Sequence, residues 1–311
     1  MIWLIGNKGM LGTELASALA AAGLPAVGTD REVDILDPAA LEAFAAGKDI
    51  RWLVNCAAYT AVDKAEDVRC ETRSSARGSG GSAPVMYSPY EECYRLNAEG
   101  PANLAALAHS LGSRLLHLST DYVFSGSATE PYAEDTPVSP AGAYGRTKAE
   151  GERRVMAAAP ESVILRTAWL YGRHGPNFVY TMLRLMKERS TMGVVADQHG
   201  TPTSAADLSA AIVHLVTLPQ LPAGIYHYTN AGATTWYHFA REIHRLGRQN
   251  GFLERDCIIN PLTTAEYPTK AARPAYSVLS KDRIQALGVR VPGWEESLAG
   301  FLEDFSCYRD A

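Results

Sequence analysis

A short apolar strand, Ile2–Ile5, leads directly into Gly6-Asn7-Lys8-Gly9-Met10-Leu11-Gly12, and that loop opens an Ala/Leu-rich helix over Leu11–Ala22. Few residue types can make such a junction. Glycines at its first, fourth and seventh positions permit a tight turn, let the backbone approach a pyrophosphate, and let the helix pack on the sheet. The helix start offers unpaired N–H groups and a positive dipole end to phosphates. A strand before and a helix after distinguish such a loop from a chance run of glycines.

The first half of the chain keeps this rhythm. Strands are expected at Ala26–Thr29, Trp52–Cys56, Leu115–Ser119 and Val163–Thr167, and a long helix with a core-facing stripe over Asn97–Leu111. Strands alternating with helices predict an α/β fold, a doubly wound parallel sheet of the Rossmann type. The later sequence is more mixed. It suggests a helix at Ala205–Leu218, a short strand at Ile225–Tyr228, and helices at Trp236–Arg248 and Glu295–Phe305. We therefore expect a dinucleotide-binding domain over 1–168 and a smaller mixed C-terminal substrate lobe over 169–311, parts of which return to the first domain. With 311 residues, 47% of them hydrophobic, the chain can bury cores of that size. One stretch, Arg69 to Pro89, is rich in Ser, Gly and Arg and reads as a flexible insertion at about 69–89, a solvated loop or a lid.

Bulk properties exclude several classes. A formal charge of −5 argues against a nucleic-acid partner. No apolar run approaches the length of a membrane span, so no membrane association is expected. Cys56, Cys70, Cys93, Cys257 and Cys307 are scattered without metal-site or redox spacing and read as reduced thiols. Gly6 interrupts the apolar start too early for a signal peptide, and the expected location is cytoplasmic.

Asp30 closes the second strand, where an acid takes the ribose hydroxyls of NAD. Arg31 follows, where a guanidinium accepts the extra phosphate of NADP. The pair leaves the choice between NADPH and NADH open. Asp34-Ile35 is placed to edge the adenine, while Asp34 and Asp37 are equally placed to cap a helix beginning near Pro38.

Farther along, Tyr144 and Lys148 stand four apart, on one face of a helix. Thr120 ends an apolar run that reads as a strand. Hydride transfer to a ketone builds negative charge on oxygen, which needs a proton and a hydrogen-bonded cradle. A phenol ordinarily near 10 is a poor partner at neutral pH, and a neighbouring ammonium is expected to lower it. Tyr144, Lys148 and Thr120 are the catalytic candidates.

These residues resemble the extended short-chain dehydrogenases/reductases, and within them the dTDP-4-dehydrorhamnose reductases. The resemblance covers nearly the whole chain outside Arg69–Pro89. It rests on GNKGMLG at 6–12, NCAAYTAVDKAED at 55–67, RLNAEGPANLA at 95–105, STDYVFSG at 119–126 and YGRTKAEGE at 144–152. It continues through RTAWLYG at 166–172, DQHGTPT at 197–203, TTWYHFA at 234–240 and ARP at 272–274. It implies reduction, by NADPH or NADH, of the 4-keto group of a dTDP-linked 4-keto-6-deoxy sugar to dTDP-L-rhamnose, with a homodimer as a candidate assembly.

By position, Tyr144 becomes the proton donor, Lys148 its modulator, and Thr120 the hydroxyl that tunes the pair. Gly6, Gly9, Met10, Leu11, Gly12, Asp30, Arg31, Asp34, Ile35, Ala57, Ala58 and Tyr59, with Tyr144 and Lys148, take the cofactor. Thr60, Val62, Thr120, Asp121, Tyr122 and Trp169 face the sugar, though Trp169 at a strand end also reads as core packing. Arg273 and Arg166 are candidates for the diphosphate, and Arg166, within a strand, equally for a buried ion pair. Some family members hold magnesium at a subunit contact. Glu14 stands at a suitable place, but no ligand set assembles around it and no metal is expected.

The chain departs from the family in the stretch 69–89, where about twenty residues replace a short link. Two other readings share the cofactor loop: an epimerase or dehydratase of another nucleotide sugar, and a non-catalytic relative like the regulatory subunit of methionine adenosyltransferase. Tyr122 follows Asp121 where a dehydratase wants a second acid. The intact Thr120, Tyr144 and Lys148 favour an enzyme, since fold alone does not fix function.

Overall fold

The computed structural model describes residues 1–68 and 87–303. The expected insertion, but for Tyr87–Pro89, and the tail including Cys307 and Phe305 lie outside the described residues, as does Cys70.

Five strands of the first half, β1 (Ile2–Ile5), β2 (Ala26–Thr29), β3 (Trp52–Asn55), β4 (Arg114–Thr120) and β5 (Val163–Thr167), join Gly224–His227 in one sheet. Its order is Gly224–His227, β5, β4, β3, β1, β2, and every pairing is parallel. β1 and β3 are buried along their whole length, as the apolar runs Ile2–Ile5 and Trp52–Val54 require of strands covered on both faces. The chain winds outward in both directions from β1, so a crevice opens at the C-terminal ends of β1 and β3. The loops carrying Gly6, Asp30 and Ala57, and Thr120 itself, all lie at that end.

On one face, α1 (Met10–Ala21) packs against α7 (Ala205–Thr217), burying Leu15, Leu19, Leu208 and Ile212. The other face carries α4 (Gly100–Ser110) and α5 (Ala143–Ala158) over Leu104, Leu107, Val155 and Ile164. Residues 205–227 thus contribute a helix and an edge strand to the sheet domain, although they follow residue 169. A separate core gathers α6 (Phe178–Glu188), α8 (Trp236–Gln249) and the helix Trp294–Glu303 around Val179, Leu183, Phe239, Ile243 and Leu298. Beside it Thr191–Val195 and Ile258–Leu262 pair in parallel, and His199–Gly200 and Thr234–Thr235 antiparallel. This is the smaller mixed lobe.

Besides the strands Thr191–Val195 and Ile258–Leu262, which the sequence reading does not include, two of the longer helices differ from it. The helix expected at Asn97 begins earlier, at α3 (Pro89–Tyr94), passes through a wide five-residue turn at Arg95–Glu99 and continues as α4. Its start is a capping box. Ser88 Oγ accepts from the Glu91 N–H, and the Glu91 carboxylate accepts from the Ser88 N–H, with Pro89 in the first turn. α6 is the second. Asn177 caps it by accepting from the Tyr180 N–H, and Val179, Met182, Leu183 and Met186 recur at helical spacing toward the lobe core.

Candidate active site

The glycine loop is shaped by contacts that tolerate no side chain. Gly6 has φ of +77°, and a Cβ there would stand 2.7 Å from the Ala57 nitrogen. A Cβ on Gly12 would come within 2.1 Å of the Gly6 oxygen. Gly9 caps α1 with no side-chain hydrogen bond, leaving the leading N–H groups around Met10 and Leu11 to an anion. The loop borders a cleft of about 820 Å³ whose walls include Gly6, Gly9, Asp30, Arg31, Asp34, Ile35, Ala57, Ala58, Tyr59 and Thr60. Lys8, given no role in the sequence reading, also lines it, and its ammonium meets Glu32 at 3.2 Å. Of the two aspartates offered as caps, Asp37 caps α2 (Pro38–Ala45). Asp34 instead accepts from the Leu36 N–H at 2.9 Å, tightening the turn at the cleft wall.

The third wall is held by two asparagines that the sequence reading left without a role. Asn55 Oδ1 accepts from the Ala57 N–H at 3.0 Å, and Asn97 Oδ1 accepts from the Tyr59 N–H at 2.9 Å. Asn97 Nδ2 donates back to the Tyr59 carbonyl at 3.1 Å. Asn97 sits in the wide turn between α3 and α4, a kind of helical irregularity that gathers at functional sites.

α5 is drawn against this turn by Gly151, where a Cβ would meet the Asn97 carbonyl at 2.1 Å, and against the Tyr122 carbonyl by Gly145 at the same distance. Tyr144 lies next to Gly145 and Lys148 between the two glycines, 9% and 1% exposed. The Tyr144 ring stands edge-on to Tyr122, centroids 5.5 Å apart. Thr120 Oγ1 donates to Asp121 Oδ1 at 2.9 Å.

Burial and the neighbouring Asp121 push Tyr144 above the usual phenol range, a hydrogen bond with Thr120 acting the other way. The expected lowering by Lys148 is not what this structure shows. Lys148 donates to the Leu118 carbonyl at 2.5 Å and stands 3.4 Å from His117 Nε2. Burial takes it down to about 8, with Glu152 opposing. Tyr144 is therefore a protonated phenol across the neutral range.

Burial also pushes Asp121 up to about 6. Because the folded state holds that proton more tightly than the unfolded chain, ionising Asp121 costs stability. The cost is absent below pH 3.8 and complete above about 6. Asp121→Asn is thus expected to raise the thermal midpoint at pH 7.5 by an amount worth on the order of 1–3 kcal/mol. Calorimetry should show that advantage shrinking as the pH falls toward 4.

The remaining candidates are dispersed around this centre. Val62 is half-buried against Tyr144 and Tyr59. Tyr122 and Arg273 line a smaller cavity of about 240 Å³. Arg273 is already engaged: it donates to the Tyr122 hydroxyl at 3.2 Å and pairs with Asp63. Asp63 also accepts from the Ala271 N–H at 3.0 Å, and Asp67 pairs with Lys270, so the segment 270–273 is clasped to the loop after β3. Arg166 is a buried ion pair with Glu152, the second of its two readings.

Trp169 has φ of 48°, a left-handed backbone unusual for a bulky residue. It stacks on Trp236 with centroids 3.6 Å apart, so one face of its indole is covered. Glu14 lines a third cavity with Asp207, Arg290 and Glu296. Among the described residues no cluster of His, Cys, Asp or Glu forms a metal site, and no helix is long and apolar enough to cross a membrane.

A glycine cradle at the switch point of a doubly wound sheet, with a buried phenol, lysine and threonine at its edge, is the architecture of an extended short-chain dehydrogenase/reductase. Within that class the RmlD substrate binding domain matches residues 1–80 and 88–307, and the chain belongs to that family. The internal gap in the match, 81–87, falls within the stretch that composition marks as an insertion, most of which the family model does match. A probable dTDP-4,6-dihydroxy-2-methyloxan-3-one 4-ketoreductase of Streptomyces antibioticus is 43% identical over 98% of this chain and 95% of its own. The crystal structure of a dTDP-4-dehydrorhamnose reductase of Clostridium acetobutylicum has a TM-score of 0.85 and 39% identity, covering 98% of this chain and 99% of its own. That of Bacillus anthracis, in complex with NADP, has the same TM-score at 32% identity, over 97% and 98%.

Proposed function

We propose that this chain reduces the 4-keto group of a dTDP-linked 4-keto-6-deoxy-L-hexulose to dTDP-L-rhamnose, using NADPH or NADH. The observation that carries the reading is the buried Tyr144, with Thr120 hydrogen-bonded to it, Lys148 one turn along the helix, and Tyr59, a wall of the cleft beside the glycine loop, packed against its cluster. The names of the relatives supply the sugar and the NADP complex supports the cofactor.

The cleft suits a dinucleotide because Gly6 and Gly12 let the loop fold tightly against the Ala57 segment and under the start of α1, whose leading N–H groups suit an anion. Gly6, Gly9, Met10, Leu11 and Gly12 hold the pyrophosphate, Asp30 or Arg31 the adenosine ribose, Asp34 and Ile35 the adenine edge, and Ala57, Ala58 and Tyr59 the far wall. When bound, the nicotinamide supplies the hydride. Tyr144 delivers the proton to the nascent alkoxide, and Thr120, its hydroxyl turned from Asp121 to the substrate, donates to the same oxygen. Lys148 offers its positive charge below pH 8. Thr60, Val62, Asp121, Tyr122, Trp169 and Arg273 form the sugar side. The enzyme is placed in the cytoplasm, with a homodimer as candidate assembly, which light scattering tests.

The decisive experiment follows nicotinamide absorbance with dTDP-4-keto-6-deoxy-L-hexulose generated in situ, NADPH and NADH in parallel. Sugar-dependent oxidation is the expected result. Protein that binds a cofactor yet oxidises neither in the presence of the sugar would overturn the reading.

A further inference from the structure

Behind Lys148 lie His117 on β4 and Asn55 at the end of β3, two polar side chains each 0% exposed. The proposed reaction gives neither of them a role. Asn55 Nδ2 is 3.0 Å from His117 Nδ1, and His117 Nε2 is 3.4 Å from Lys148 Nζ. The direction of this chain is fixed at its far end. The Ala57 N–H donates to Asn55 Oδ1, so the amide must present its NH2 to the imidazole. A reversed amide would set two N–H donors against each other in a dry site.

Nδ1 is thereby an acceptor, and a neutral imidazole then carries its proton on Nε2. Burial, with the charge of Lys148, holds His117 well below its ordinary value, so the ring stays neutral. Lys148 therefore faces an N–H and not a lone pair. An ammonium there opposes donor to donor. An amine accepts from Nε2–H and still donates to the Leu118 carbonyl.

We propose that His117, held by Asn55 as the Nε2–H tautomer, is a positioning residue that favours the amine of Lys148 over its ammonium, so that the ammonium gives up its proton readily. The inference rests on Lys148 acting in the reaction above. Its value of about 8 has burial as the largest cause, and the geometry adds to it. The other ionisable groups whose charge reaches Lys148 are Glu152 one turn along α5, Cys93 on α3 and Cys56 beyond β3. Glu152 is itself held by Arg166 and Ser119. A lysine balanced near neutrality can replace the proton that Tyr144 gives to the sugar oxygen, and recover its own from water.

Two measurements test this. Long-range nitrogen-proton NMR of the native full chain, with His117 assigned by its loss in His117→Phe, should show a protonated Nε2 and a bare Nδ1 from pH 6 to 9. The opposite tautomer overturns the proposal. In turnover, Asn55→Asp places a carboxylate against Nδ1, which demands the proton there and turns the Nε2 lone pair toward Lys148. The alkaline limb of kcat should then rise by about one pH unit or more. In a His117→Phe background the same substitution should move the limb less than half as far. An equal shift in both backgrounds would mean that the new charge acts directly, and overturns the role of the imidazole. If Lys148→Met retains full turnover, the reading of the reaction fails instead, while the NMR result still decides the tautomer.

Discussion

Tyr144→Phe is expected to lower kcat by about 10²- to 10⁴-fold, the range a positioned general acid contributes, with little change in KM for sugar or cofactor. The substitution removes one oxygen and leaves the ring edge-on to Tyr122 in its buried seat. The two glycine contacts that set α5 against its neighbours do not involve the hydroxyl, so the thermal midpoint should stay close to that of the parent. Steady-state kinetics with the sugar, together with fluorescence titration of the cofactor, separate a lost proton donor from a lost binding site. Since burial keeps the phenol protonated well beyond neutrality, no decline in the parent's rate between pH 6 and 8 is assigned to it. A variant with a tenth or more of the parental kcat would remove Tyr144 from the chemistry.

The second large effect concerns stability. Arg166 and Glu152 are 1% and 5% exposed, and pair through two hydrogen bonds of 2.9 and 2.7 Å. Ser119 Oγ donates to the same carboxylate at 2.5 Å, and the guanidinium lies over Phe124, 4.9 Å from the centroid to Cζ. Arg166→Met leaves the Glu152 carboxylate buried with Ser119 alone. Removing one partner of such a pair costs about 3–5 kcal/mol, whereas replacing both by apolar groups is far cheaper. Thermal denaturation should place Arg166→Met about 10 °C below the parent. The double variant Arg166→Met/Glu152→Leu should recover most of that difference. Equal losses in the single and double variants would mean that packing, and not the stranded charge, sets the cost.

Local patterns make much of the fold readable. The strand–glycine–helix junction, the apolar runs of β1 to β5 and the i, i+4 placement of Tyr144 and Lys148 are each specified within a few residues. The wide turn at Arg95–Glu99 is not. It depends on Asn97 reaching the backbone of Tyr59, 38 residues away, and on Gly151 of α5 closing over it. Asn55 and His117 sit on strands that otherwise read as apolar, and their partnership spans 62 residues. Asn55 opens the NCAAYTAVDKAED segment of the resemblance, but nothing near it in sequence points to His117. Arg273 reads as free for a diphosphate because its acid, Asp63, lies 210 residues upstream. α6 is a different case, since its apolar stripe is regular and its Asn177 cap is local, so the signal for it was present in the sequence.

The clasp between the Asp63–Asp67 loop and residues 270–273 has a consequence for the life of the chain on the ribosome. The glycine cradle and the loop that faces it lie within the first sixty or so residues, and the Asn97 that holds Tyr59, then Tyr144 and Lys148, follow soon after. Yet Arg273 reaches the Tyr122 hydroxyl across 151 residues. At about 5–20 residues per second, that partner emerges roughly 8–30 s after Tyr122. For that interval the nascent protein lacks the contacts that hold residues 270–273 against Tyr122 and the Asp63–Asp67 loop, so a chain truncated before residue 273 cannot close that clasp.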